Sequence, residues 1–327
     1  MTSALIAALA VTVGLTVGPT RTVSAYKVNA IAPRPAVSQY AAAGEDFVVR
    51  LVNAVDGSTI RSFSGHPQPV YAIGFNAAGT LMATGDETAR IFIWNVSTGA
   101  KVREFTRIQA HTRGIQSVAF SPDGKQIVTT GRDDFMIVWD VATGRPIKKI
   151  PGEGANVASG VWGPKATVAY CCTLSEGVRA YARSTWGLAA TMKGHEALGA
   201  TAFCTNPAGT LGASGGRDNS INIWSLTTRQ RVRVIKGHED WVLNVAFAPN
   251  GRVLASSSSD RTVRLWDATS GASLGKFDNQ SAVGAPIGFT GDGKFLISVD
   301  SNENAQIRPV TGASSAPAGG KTKKRRR

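Results

Sequence analysis

Apolar and polar residues alternate along this chain in short runs that turn-forming residues interrupt, which predicts many short strands and an all-β fold. The segment Ile115-Gln-Ser-Val-Ala-Phe-Ser-Pro-Asp-Gly124 is an alternating strand entering a Pro-Asp-Gly turn, and Val242-Leu-Asn-Val-Ala-Phe-Ala-Pro-Asn-Gly251 repeats it. In such turns Pro fixes φ and Gly accepts positive φ. Second strands follow at Gln126-Ile-Val-Thr-Thr and Val253-Leu-Ala-Ser-Ser, and third strands at Phe135-Met-Ile-Val-Trp-Asp140 and Thr262-Val-Arg-Leu-Trp-Asp267. A Thr143-Gly144 or Ser270-Gly271 turn then leads into a fourth apolar strand.

The alternation has a period. Gly65-His66, Ala110-His111, Gly194-His195 and Gly237-His238 are spaced 45, 84 and 43 residues apart, the long gap being two periods. Trp94, Trp139, Trp224 and Trp266 keep the same phase, at 45, 85 and 42 residues. Two independent markers with one period of about 42 residues, each period holding four antiparallel strands, describe a propeller blade.

A Gly-His start and a Trp-Asp end make the chain resemble the WD-repeat β-propeller family from about residue 26 to residue 312. The resemblance implies a seven-bladed propeller of four-stranded antiparallel blades. It also implies a hydrogen-bonded set within a blade: His111, Thr129, Asp133 and Trp139; His195, Ser214, Asp218 and Trp224; and His238, Ser256, Asp260 and Trp266. The blade after Gly65 keeps His66, Thr84 and Trp94 but has Thr88 where Asp is expected. Residues 154–192 form a degenerate blade with Cys171, Ser175 and Tyr181 in the three places. An earlier blade runs from Val28 to Phe63, and a last one, lacking His and Trp, from Ala285 to Val310.

An open last blade would leave an unpaired edge. In this family the N-terminal segment usually supplies the missing outer strand, and residues 4–17 are an apolar, Val- and Thr-containing run suited to it. The competing reading is an export signal cut near Val23-Ser-Ala25, against which no basic residue precedes Arg21. That omission tilts the choice toward ring closure and an intracellular protein, cytoplasmic or nuclear, and the run is short for a membrane span. The chain thus divides into an N-terminal segment (1–24), a propeller (25–312) and a basic tail (313–327).

Charge and chemistry refine the function. Of a net charge of +14, six come from Lys321, Lys323, Lys324, Arg325, Arg326 and Arg327, leaving +8 for the rest. An acidic protein or peptide partner fits this balance, and nucleic acid drawn to the body and tail is the alternative. The three cysteines, Cys171, Cys172 and Cys204, form neither a disulfide framework nor a zinc pattern. All four histidines are absorbed by the repeat, so none is left for a triad or metal site. Gly212-Ala-Ser214-Gly-Gly216 matches a nucleophile motif in letters but lies in a strand with no following helix. Sequons at Asn95 and Asn279 matter only in a secretory pathway. The expectation is therefore a non-catalytic scaffold without cofactor or metal, monomeric by itself. By resemblance, Arg132 and Arg217, with Arg113 and Trp241 nearby, face the end of the propeller where partners dock.

Overall fold

The computed structural model describes residues 14–23, 26–105, 110–163, 165–195, 199–282 and 285–313. The basic run at 321–327, and residues 4–13 of the apolar segment, lie outside the described residues. Among the described residues there is no helix, and none that is long and apolar enough to cross a membrane. The strands form seven antiparallel sheets, six of four strands and one completed from both ends of the chain. They are numbered here as blades 1 to 7, over 28–63, 70–104, 115–151, 157–192, 200–235, 242–277 and 288–311. In blades 1 to 6 the strands run a to d from the axis outward, in sequence order. The seven-bladed all-β architecture expected from the repeat is the one observed.

Each strand position has its own burial. The b strands, such as Gln126–Gly131 and Leu211–Gly216, are buried at every position but the first. They carry Ala, Ser, Thr and Gly because both of their faces meet neighbouring blades. The d strands are the wet ones; Arg231–Ile235 is exposed at four of its five residues. The apolar core is divided into seven clusters, each at a seam between successive blades. One of them joins Ile297, Val299 and Ile307 of blade 7 to Val28, Tyr40 and Val52 of blade 1, so the ring is closed by core. Burying these side chains at about 25 cal/mol per Å² is the main force holding one blade to the next.

Strand d of blade 7 comes from the start of the chain. Thr16–Val17 and Arg21–Val23 pair antiparallel with Ala305–Thr311, matching Thr16 to Thr311 and Val23 to Ala305. The pairing segment overlaps the apolar run only at its end and extends past it to Val23. Ser24 and Ala25, in the candidate cleavage site, lie outside the described residues.

Arginines on d strands reach across to the next blade's c–d turn. Arg61 donates to the Thr98 carbonyl at 3.0 Å and Arg233 to that of Ser270 at 3.0 Å. Arg21 makes the corresponding contact to the Val55 carbonyl and so spans the junction of blades 7 and 1. Gly144 shows why glycine ends these turns: its φ is +70°, and a Cβ there would lie 2.9 Å from the Arg103 stem. The degenerate blade lacks this residue and places Trp186 at φ 55° instead.

Candidate functional site

The antiparallel a-to-d order places every b–c turn and every d–a loop at one end of the ring. What fixes those loops begins inside the blades. In blade 3, Trp139 Nε1 donates to Thr129 Oγ1 at 2.8 Å. Thr129 Oγ1 lies 2.8 Å from His111 Nε2, and His111 Nδ1 lies 2.7 Å from Asp133. Blades 5 and 6 repeat this through Trp224, Ser214, His195 and Asp218, and through Trp266, Ser256, His238 and Asp260, with every step between 2.7 and 2.9 Å. The chain of donors is complete with a neutral His whose Nδ1–H faces Asp and whose Nε2 accepts from the hydroxyl. Burial pulls His238 below the usual histidine range, against the opposing pull of Asp260, which favours that neutral form. Ser214, the hydroxyl in the nucleophile-like motif, is fully buried and held between His195 and Trp224.

In two of these sets the Asp also holds a loop. Asp260 Oδ2 accepts from both His238 Nδ1 and the Glu239 amide, at 2.8 and 3.0 Å. Asp133 likewise accepts from the Thr112 amide at 2.9 Å. Arg113 and Trp241 follow these anchored residues, so the buried sets position the exposed ones.

The other blades solve the same problem with different residues. In blade 2 the acid is Asp86, not the residue at Thr88: its Oδ2 is 2.8 Å from His66 Nδ1, and Thr88 donates to its Oδ1 at 2.9 Å. Asp86 stands two residues after the strand hydroxyl, where blades 3 and 5 have Gly131 and Gly216, which is the signal that could have marked it. Replacing Asp86 with Ala should cost about 2 kcal/mol by stranding a buried imidazole N–H. Thr88→Ala should cost well under half of that; urea midpoints of the two variants compare them, and equal losses would contradict the assignment.

In blade 7, Ser298 donates to Gln280 Oε1 at 2.7 Å and accepts from Arg308 Nη1 at 2.6 Å, so Gln and Arg stand where His and Trp stand elsewhere. In the degenerate blade 4, Ser175 is exposed in its turn. There the buried Arg179 crosses the site, donating to the Gly152 carbonyl at 3.2 Å and pairing with Glu176 at 3.0 Å. Cys171 and Cys172 are buried in the same blade, and burial pushes the Cys171 thiol up to about 12.

On the loop face the four residues singled out in the sequence fall into two separate groups. Arg132 sits at blades 2 and 3, where it is paired with both Glu87 oxygens at 2.7 and 2.9 Å, 5.1 Å from the Tyr71 ring centre. Arg113 is exposed beside this pair, one residue before Gly114, whose Cβ position would lie 3.0 Å from the Glu87 carboxylate. Glu87 and Tyr71 were not foreseen. Arg217 and Trp241 sit three blades further round: the Arg217 guanidinium lies 4.5 Å from the Trp241 ring centre, and Trp241 is 41% exposed. Its loop is held by Ser259 N–H donating to the Trp241 carbonyl at 2.9 Å. Inside the ring the a strands line a channel of about 380 Å³, with polar side chains such as Asn29, Gln116, Thr201 and Asn244.

A family model described as "WD domain, G-beta repeat" matches residues 57–95, 102–140, 186–225 and 229–267. Those segments end in the c strands of blades 2, 3, 5 and 6, the four blades that contain His. Short stretches are similar to nuclear distribution protein PAC1 of two fungi. One is 43% identical over 47 residues in Mycosarcoma maydis, and one 41% identical over 71 residues in Coccidioides posadasii. These cover 14% and 20% of this chain and only 10% and 15% of those proteins. The solved structure of U3-55K superposes with a TM-score of 0.77 at 19% identity, over 89% of this chain and 98% of that one. Four matched repeats, set with three blades of altered sequence in one closed ring, make this chain a member of the WD-repeat β-propeller family.

Proposed function

We propose that the protein is a non-catalytic interaction scaffold that docks a peptide or protein on its loop face, with Trp241 and Arg217 as the anchor. The observation that carries this reading is the pair itself: a large, partly exposed indole with a guanidinium 4.5 Å from its ring centre. Trp and Arg are the residues most often found at the energetic centre of protein interfaces. The Trp241 loop is fixed beforehand by Asp260 and Ser259, which lowers the ordering cost of binding. Arg132 is neutralised by Glu87 and contributes less to attracting an acidic partner.

Proteins recovered on the full-length chain at physiological salt test the proposal. Trp241→Ala and Arg217→Glu should each weaken recovery of a given partner about tenfold or more, with unchanged melting temperature. Arg132→Glu should have the smaller effect. Recovery indifferent to Trp241 and Arg217 would reject this face. If only nucleic acid were recovered, and lost with added salt or on truncation at Ser315, the scaffold reading would fail in favour of phosphate binding.

A further inference from the structure

The outer rim of blade 5 holds a set of cations that no described carboxylate pairs with. Arg229, Arg231 and Arg233 donate to backbone carbonyls, those of Ala189, Gly194 and Ser270 at 3.2, 2.6 and 3.0 Å. Lys193 and Lys236 flank them, both exposed. Two corresponding rims differ: Lys101 in blade 2 is paired with Glu104 at 3.2 Å, and Lys276 in blade 6 with Asp278 at 2.9 Å. Between the arginines stand Val232 and Val234, 54% and 39% exposed. Lys193, Arg231, Val234 and Lys236 border a cleft of about 590 Å³ between blades 4 and 5. Its floor includes Asp218, whose carboxylate is engaged by His195 and Ser220 at 2.9 and 2.8 Å.

We infer that this cleft is a second docking site, beside the loop-face anchor of Trp241 and Arg217 but lined by neither, for an acidic peptide segment that carries aliphatic side chains among its carboxylates. Charge complementarity supplies the first argument: Lys193 and Lys236 border the cleft, and the Arg231 guanidinium beside them spends a single N–H on a neutral carbonyl and keeps its charge. The exposed Val234 at the cleft supplies the second. It offers aliphatic contact to a peptide side chain but no stacking surface to a base, so it favours peptide over a nucleic-acid strand. Recognition runs through side chains, because the bulge at Val232 in this edge strand works against addition of a further strand.

The test uses the full chain and a fluorescein-labelled dodecapeptide of glutamates interrupted by two leucines, with its all-glutamate analogue and a single-stranded oligo-dT as controls. Fluorescence anisotropy at physiological ionic strength should show saturable binding, tightest for the leucine-containing peptide. Lys193→Glu together with Lys236→Glu should weaken it about tenfold or more, and neither lysine is among the side chains that clasp neighbouring blades. Val234→Ser should remove the advantage of the leucine peptide over the all-glutamate one. Trp241→Ala should leave binding unchanged, which separates this site from the loop-face anchor. Equal binding of oligo-dT with no effect of Val234→Ser would overturn the proposal in favour of a general polyanion surface. Absence of saturable binding, or indifference to the lysine reversals, would overturn it outright.

Discussion

A Trp139→Ala variant is expected to lose about 3–5 kcal/mol of unfolding free energy, read as a lower urea midpoint. Trp139 is fully buried at the seam of blades 2 and 3, with its ring 5.5 Å from that of Phe105. Truncation opens a cavity between two blades and leaves Thr129 Oγ1 without the indole donor. Trp139→Phe keeps most of the packing and removes only that hydrogen bond, so it should cost about 1 kcal/mol plus a smaller cavity. Comparable losses for the two variants would mean that the N–H, not the seam, is what matters. Because each blade touches only its neighbours, the damage should centre on blades 2 and 3 and be visible there in hydrogen exchange.

Acidification should destabilise the ring in two stages. Burial lowers the pKa of His238 from 6.5, so the folded state favours neutral imidazole. The stability this carries is present above the unfolded value and is lost as pH falls through 6.5 toward the lower folded value. The second stage belongs to Asp218 and Asp260. Burial pushes both carboxyls up, but hydrogen bonds outweigh it, from His195 and Ser220 in one case and from Thr262, Glu239 and His238 in the other. Both are held at about 2 against an ordinary 3.8. Each therefore contributes about 2 kcal/mol at neutral pH, lost as pH drops from about 5 toward 2. Melting temperatures between pH 7 and pH 3 should decline throughout and more steeply below pH 5. A flat profile across that range would contradict the hydrogen-bonded sets as the source of stability.

The ring was legible because a His and a Trp mark fixed points in a period, and four copies of each suffice to set the phase. What escaped reading was chemistry that changes letters while keeping the role. Gln280, Ser298 and Arg308 do in blade 7 what His, Ser and Trp do in blade 6, but they share no marker with it beyond the serine. Asp86 was missed because it moved two positions along the strand and still reached its histidine. On the loop face, positions were readable and partners were not. Arg132 and Glu87 are 45 residues apart, one period, so they are neighbours on adjacent blades. A residue-by-residue reading treats them as unrelated turns, and so names Arg132 for the docking end without the Glu87 that pairs with it. Arg217 and Trp241 meet across the boundary of blades 5 and 6, from a b–c turn and the d–a loop that follows its blade.

The ring's fastening also orders events in time. Thr16 and Thr311 hydrogen-bond across 295 positions of chain. At roughly 5–20 residues per second of synthesis, the first strand waits on the order of 15–60 s before its partner leaves the ribosome. Blades 1 to 6 can pair their own strands as they emerge, while Thr16–Val17 and Arg21–Val23 have nothing to pair with until the last blade is made. During that interval the nascent protein is an open arc with two bare seams, the faces that Ile307 and Val28 later share. Chaperone capture, or premature pairing with a second nascent chain, would act on this arc rather than on the finished disc.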